Sequence, residues 1–141
     1  MTQPTATAAD WQNQPLPERR ITLALDFTLD ATETASLREG LIPHQMEDKW
    51  FIYCVENIVY LHRSWTGICI AVVHFTPDGE GLRAVSADVN REPDQYTGID
   101  DHADIKLIEN LLRSIPIEQA YRADMRAREA AWLASRTAGK S

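Results

Sequence analysis

The sequence predicts an α+β domain, an antiparallel β-meander of about five strands with two C-terminal helices packed on one face. One segment alternates strictly between apolar and polar residues, four short β-prone segments follow at tight-turn spacing, and the last third of the chain carries apolar residues at helical spacing. The 141-residue length favours a single domain, residues 19–136, between a flexible N-terminal tail (1–18) and a frayed C-terminus (137–141).

The N-terminal tail is polar and contains prolines at positions 4, 15 and 17, which favour an extended chain. Its one large apolar side chain is Trp11. A lone tryptophan in such a tail either folds back onto the domain or docks on a partner. We expect Trp11 to fold back.

Residues 21–29 form the clearest predicted strand, because every second position is apolar: Ile21, Leu23, Leu25, Phe27 and Leu29. Asp30 and Glu33 then match a capping box, in which each side chain accepts a hydrogen bond from the other residue's backbone. A short helix is expected to begin after Asp30 and to end at Gly40.

Runs of aromatic and β-branched residues predict four further strands, at 49–55, 58–64, 68–75 and 82–89. Short polar turns join them, so the strands should pair antiparallel. Pairing across residues 56–57 places Trp50 opposite Arg63 and Phe51 opposite His62. The more aliphatic face should then meet the core: Trp50, Ile52, Cys54, Val59, Leu61 and Arg63. A slip of one residue would exchange the faces, so the face of Arg63 stays open.

The C-terminal region predicts two helices. The first should begin at Asp100 or Asp101, present one apolar face and end at Pro116. The second should begin near residue 117 and carry a broad apolar stripe of Tyr121, Met125, Trp132 and Leu133. This stripe either packs on the sheet or pairs with a second copy, so a homodimer is left open.

The charge and apolar patterns exclude several classes of function. The chain has 14 basic and 21 acidic residues, a net charge of -7, which disfavours general nucleic-acid binding because contact with phosphates needs concentrated cations. The longest apolar run, residues 68–73, is too short to span a membrane. The first ten residues lack the apolar core of a secretion signal, so we expect a cytoplasmic protein.

No metal or cofactor is expected. Cys54 and Cys69 lie in apolar runs and match no zinc spacing, so they should be free thiols. The acidic residues between 100 and 104 are interpreted as the polar start of a helix, where carboxylates satisfy free N–H groups. His44 and His74 are isolated and are interpreted as structural or solvent-facing.

The segment from His62 to Gly67 sets an imidazole, a guanidinium, two hydroxyls and an indole beside a turn. Such a cluster suits a small polar ligand. Together with nearby aromatic and basic residues, it gives the candidate contact set: Trp50, His62, Arg63, Ser64, Trp65, Arg91 and Tyr96. We interpret the chain as a non-catalytic binding module for a protein partner or a small anionic ligand, since tryptophan and arginine are typical interface anchors.

Two alternatives stay open for these residues. Arg63 is as well explained by a structural cation–π contact with Trp50. The chain could instead be an enzyme acting on a phosphorylated or nucleotide-like small molecule, in which Arg63 and Arg91 hold the anion and His62 is the acid or base. That mechanism requires the three side chains to converge on one pocket. A nucleophilic Ser64 beside His62 lacks an identifiable acid as third member.

Three segments between residues 46 and 115 resemble a family of small bacterial domains of unknown function. They are Lys49–Tyr53, Tyr60–Gly67 and Asn90-Arg91 through Gln95-Tyr96. The resemblance implies no activity and only emphasises these positions.

Overall fold

A computed structural model describes residues 5–45 and 47–138, with side chains described as far as residue 136. It confirms the α+β class, with a five-stranded antiparallel sheet and two α-helices. The elements are a 3-10 turn (Ala8–Asp10), β1 (Arg20–Leu29), α1 (Ala31–Glu39), β2 (Trp50–Val55), β3 (Ile58–Arg63), β4 (Cys69–Asp78), β5 (Gly81–Asn90) and α2 (Asp101–Ala138). Residues 1–4 of the predicted tail and 139–141 of the predicted frayed end lie outside the described residues.

The strand order is β1-β5-β4-β3-β2. Strands β2 to β5 form the meander, and α1 carries the chain across the sheet so that β1 pairs with β5 at the edge opposite β2. Asp30 and Glu33 make the expected capping box at the start of α1. The β2–β3 register is the predicted one, with Trp50 opposite Arg63.

Both helices cover one face of the sheet, here called the helix face. The predicted core residues Ile52, Val59 and Leu61 are buried there against Leu112 and Ile115 of α2. Burying each such side chain contributes about 1.5–3 kcal/mol relative to leaving it exposed. Neither helix of the described chain is apolar enough to cross a bilayer.

The predicted break between two C-terminal helices is wrong, because α2 continues through Pro116 as one helix. A proline inside a helix lacks the N–H for one hydrogen bond and its ring meets the carbonyl one turn earlier, at a cost of about 3 kcal/mol. Tertiary contacts hold the helix on both sides of this position. Ile115 is fully buried, and the Gln119 amide donates to the carbonyls of Ser36 and Gly40, both at 2.8 Å.

The opposite face of the sheet, here called the second face, is covered by the N-terminal segment 5–16. Ala6 is buried with Phe51 and Tyr53, and Trp11 folds back as expected, its Nε1 donating to the Ser64 carbonyl at 2.6 Å. The sheet therefore has two covered faces, whereas the sequence predicted a core on one. The boundary predicted at residue 18 stays a prediction.

Candidate functional site

The turn between β3 and β4, residues 64–67, contains two of the seven candidate residues, Ser64 and Trp65, and directly follows His62 and Arg63. The Gly67 N–H donates to the Arg63 carbonyl at 2.8 Å and closes the turn. Gly67 has φ +77°, a left-handed conformation that favours glycine. A Cβ there would also lie 3.1 Å from the Gln12 carbonyl of the N-terminal segment, so the segment and the turn are in close contact.

Neighbouring residues of β3 point to opposite faces, and this separates His62 from Arg63. The Arg63 guanidinium lies 4.4 Å above the Trp50 ring on the helix face. His62 is 2 % exposed on the second face, beside Phe51 and Tyr53. The structure therefore does not bring together the imidazole and the guanidinium on which the enzyme hypothesis depends.

Arg91 and Tyr96 contact the start of α2. Arg91 pairs with Asp101 at 2.9 Å and with Asp104 at 2.5 Å, while the Tyr96 hydroxyl donates to Asp104. Burial, together with Asp104, raises the pKa of Tyr96 to about 12, so the phenol stays protonated. These contacts fasten the loop after β5 to the helix, and the carboxylates neutralise the charge that Arg91 was expected to offer an anion.

The first turn of α2 uses its acidic residues as expected for a helix start. The Asp100 carboxylate accepts from the Ala103 N–H at 3.2 Å. No group of three or more potential metal ligands occurs among the described residues.

Ser64 is buried, and its hydroxyl donates to the Asp48 carbonyl at 2.6 Å. The His62 ring instead contacts the Gly67 carbonyl through Nδ1, at 3.0 Å. The two side chains therefore serve separate hydrogen bonds and do not form the base–nucleophile contact that nucleophilic catalysis needs.

An open depression of about 410 Å³ lies beside the turn, and we call it the turn site. Its lining residues are Lys49, Arg63, Trp65, Thr66, Ile68 and Gln95. Trp65 is 66 % exposed. Arg63 and Trp65 are thus brought together, whereas Trp50 supports Arg63 from beneath its guanidinium.

Lys49 and Gln95 line the turn site but were not among the predicted contact residues. The register of the first hairpin could have revealed Lys49, because extending it by one residue sets Lys49 opposite Ser64, and the Ser64 N–H does donate to the Lys49 carbonyl at 2.9 Å. Gln95 reaches the site from the irregular loop after β5, which has no local pattern to indicate its position.

The turn site is lined by two cationic side chains, Lys49 and Arg63. Among the described residues, no carboxylate lies within ion-pair distance of Lys49 or Arg63. Five of the ten other described arginines pair with acids, namely Arg83, Arg91, Arg113, Arg122 and Arg128. Two cations without acidic partners therefore flank an exposed indole.

Comparison with known proteins finds no matching family model, no matching curated protein and no matching solved structure. The resemblance of the 46–115 region thus leads to no family, and function has to be argued from the geometry of the site.

Proposed function

We propose that this protein is a non-catalytic binding module that holds an anionic group, a carboxylate or a phosphate, at the turn site. One observation carries the proposal: Lys49 and Arg63 line the same depression as the exposed Trp65 and have no acidic partner among residues 5–45 and 47–138, in a chain whose net charge is -7. An anion would supply the counter-charge that the protein does not.

The Arg63–Trp50 contact, first considered only as a structural alternative, also favours anion binding. Stacking on the indole leaves the edge of the guanidinium, with its fork of N–H donors, available to a carboxylate or phosphate. It also restricts the side chain before the ligand arrives, which lowers the entropic cost of binding. Lys49 adds a second, more flexible charge.

The size and the lining of the depression suit a ligand with an apolar part next to its anionic group. A volume of about 410 Å³ lies within the usual range for small-ligand sites. The Trp65 indole and Ile68 offer apolar contact, and Gln95 offers an amide. A small organic acid or the acidic side chain of a partner peptide would present the same chemistry.

The groups near the turn site support binding rather than catalysis. His62 faces the other side of the sheet, the Ser64 hydroxyl is committed to Asp48, and the Tyr96 phenol is committed to Asp104. Each candidate for proton transfer is thus occupied or turned away, and the enzyme alternative has no specific observation in its favour.

The test is a thermal-shift screen of the purified protein against carboxylates, sugar phosphates, nucleotides and a glutamate-rich peptide. A ligand that binds the native state raises the melting temperature by mass action. We expect at least one anion to raise it, and Arg63→Gln to abolish the rise. The small-molecule and peptide arms distinguish the two sources of the anion.

Arg136→Gln is the matched control, because Arg136 also stacks on a tryptophan, Trp132, at 4.9 Å near the end of α2. It should leave the shift unchanged. A screen in which no anion or peptide raises the melting temperature, or in which Arg63→Gln keeps the full shift, overturns the proposal.

A further inference from the structure

The second face carries its own cavity, of about 550 Å³, between the sheet and residues 13–16 of the N-terminal segment. We call it the second-face cavity. A bulge in the β3–β4 pairing sets Cys69 opposite His62, so that both line this cavity, while Cys54 packs on the helix face. The two cysteines are free thiols, as expected.

The lining of the cavity includes His62, whose buried Nε2 is a hydrogen-bond acceptor with no donor among the described residues. His62 is 2 % exposed, and its Nδ1 lies 3.0 Å from the Gly67 carbonyl. Because a carbonyl only accepts, Nδ1 must carry the proton and Nε2 presents a lone pair. Nε2 is buried, and no group in the described part of the chain donates to it. A buried acceptor left unpaired is costly, and in native proteins it calls for a specific explanation.

The titratable side chains next to this acceptor are also uncharged near neutral pH. Burial lowers the pKa of His62, although its hydrogen bond to Gly67 acts in the opposite direction. Burial raises the pKa of the Cys69 thiol to about 12. The pKa of the Tyr53 phenol is also raised, mainly by burial and to a lesser extent by the neighbouring Tyr60. The imidazole, the thiol and the phenol therefore all stay neutral.

Flat aromatic surfaces flank the acceptor. The Tyr53 ring is nearly parallel to that of His62, at 10° and 5.6 Å, and to that of Tyr60, at 13° and 4.8 Å. Rings aligned in this way leave edges and faces suited to another planar group.

The charged groups of the cavity are satisfied within the protein. Asp88 accepts from Thr22 at 2.7 Å and contacts His74 at 3.0 Å. Arg20 donates to the carbonyls of Leu16 and Pro17 in the N-terminal segment. An ion would therefore gain little here, in contrast to the turn site.

We propose that the second-face cavity binds a neutral, planar, ring-bearing small molecule that donates an N–H or O–H to His62 Nε2. An uncharged aromatic amide or nitrogen heterocycle has this chemistry. This site is independent of the proposed anion site, because it lies on the other face and selects for the absence of charge.

The test follows the histidine side-chain nitrogens by two-dimensional NMR while benzamide, adenine or phenol is added. The chain has four histidines, so the signals are few. We expect saturable movement of the His62 Nε2 signal with at least one probe. N,N-dimethylbenzamide, which lacks the donor, should bind more weakly than benzamide. If none of the three donors shifts the His62 Nε2 signal at millimolar concentration, the proposal is overturned.

His62→Phe removes the acceptor and keeps a ring. The Gly67 carbonyl stays satisfied in this variant, because it also accepts from the Gln14 N–H at 2.8 Å. We expect the probe's affinity to fall about tenfold or more. His44→Phe, at a histidine that contacts Glu129 away from the cavity, is the control and should bind as the native protein does.

Unchanged affinity in His62→Phe overturns the proposal. If that variant does not fold, Tyr60→Leu alters the half-buried wall of the cavity instead and should weaken the same probe. In that case, equal affinity of Tyr60→Leu and the native protein for the probe would overturn the proposal.

Discussion

The two faces of the sheet are covered by different kinds of chain. Helices α1 and α2 cover the helix face and bury a continuous, mostly aliphatic cluster that also contains Phe27 and Phe75. The extended segment 5–16 covers the second face, where the buried side chains are aromatic and titratable. A helix satisfies its own backbone and can present a purely apolar stripe, whereas an extended segment must find partners for its N–H and C=O groups. Polar contacts and cavities therefore collect beneath the segment.

Because the two faces are covered differently, we expect the helix face to contribute most to the free energy of unfolding. Substitutions on the second face should lower that free energy by less. The largest effect should come from Leu112→Ala, because Leu112 is fully buried on the helix face. We expect the free energy of unfolding to fall by about 2–5 kcal/mol, as measured by urea denaturation. Ile117→Ala, in the same helix but 75 % exposed, should change it by about 0.5 kcal/mol or less. Equal losses in the two variants would contradict the assignment of the core.

A smaller effect is expected where the N-terminal segment meets the turn. Gly67→Ala places a Cβ in a left-handed conformation, which costs about 1–2 kcal/mol, and presses it against Gln12 and Asn13. The Gln14 amide, which bonds to Gly67, should then exchange its hydrogen faster. Gly79→Ala is the matched control, since its φ is also positive but nothing lies within 4 Å. If both variants lost the same free energy of unfolding, the contact of the N-terminal segment with Gly67 would make no measurable contribution to stability.

The second face should also make stability depend on pH. Burial holds the pKa of His62 below 6.5, so on acidification the unfolded chain takes up this proton before the folded one does. The free energy of unfolding should therefore decrease as pH falls below 6.5, by at most about 1.4 kcal/mol per pH unit from this group. His62→Phe should flatten that slope between pH 6.5 and 5, whereas His102→Gln, exposed at the start of α2, should not. An identical slope in His62→Phe would contradict the burial of this histidine.

The smallest change in stability is expected at the turn site. Trp65 is 66 % exposed, so Trp65→Ala should alter the free energy of unfolding by about 0.5 kcal/mol or less. The same variant should lose most of the thermal shift produced by an anionic ligand. A large loss of stability would instead make Trp65 a structural residue.

Local signals predicted much of this fold. The alternation over residues 21–29, the Asp30 capping box and the Trp50–Arg63 pairing each depend on residues close in sequence or joined by one tight turn. Their predictions were confirmed because neighbours determine them.

Features that depend on distant contacts were not predictable in this way. The passage of α2 through Pro116 relies on Gln119 reaching Ser36, and the neutralisation of Arg91 relies on a loop docking on α2. The division of the candidate site between two faces has a different, local cause, which the predicted register already contained. The members of the site adjoin in sequence, but the pleat of β3 assigns them to different faces.

The hydrogen bonds between the described N-terminal segment and the turn are all accepted by main-chain oxygens of the turn. The carbonyls of residues 64, 65, 66 and 67 each accept from Trp11, Gln12 or Gln14. Every amino acid supplies such an oxygen, so these hydrogen bonds do not depend on which side chains stand at positions 65 and 66. If the turn binds a ligand as proposed, substitutions at these two positions change its preference while the main-chain hydrogen bonds beneath it remain, which is the condition under which a binding loop diversifies.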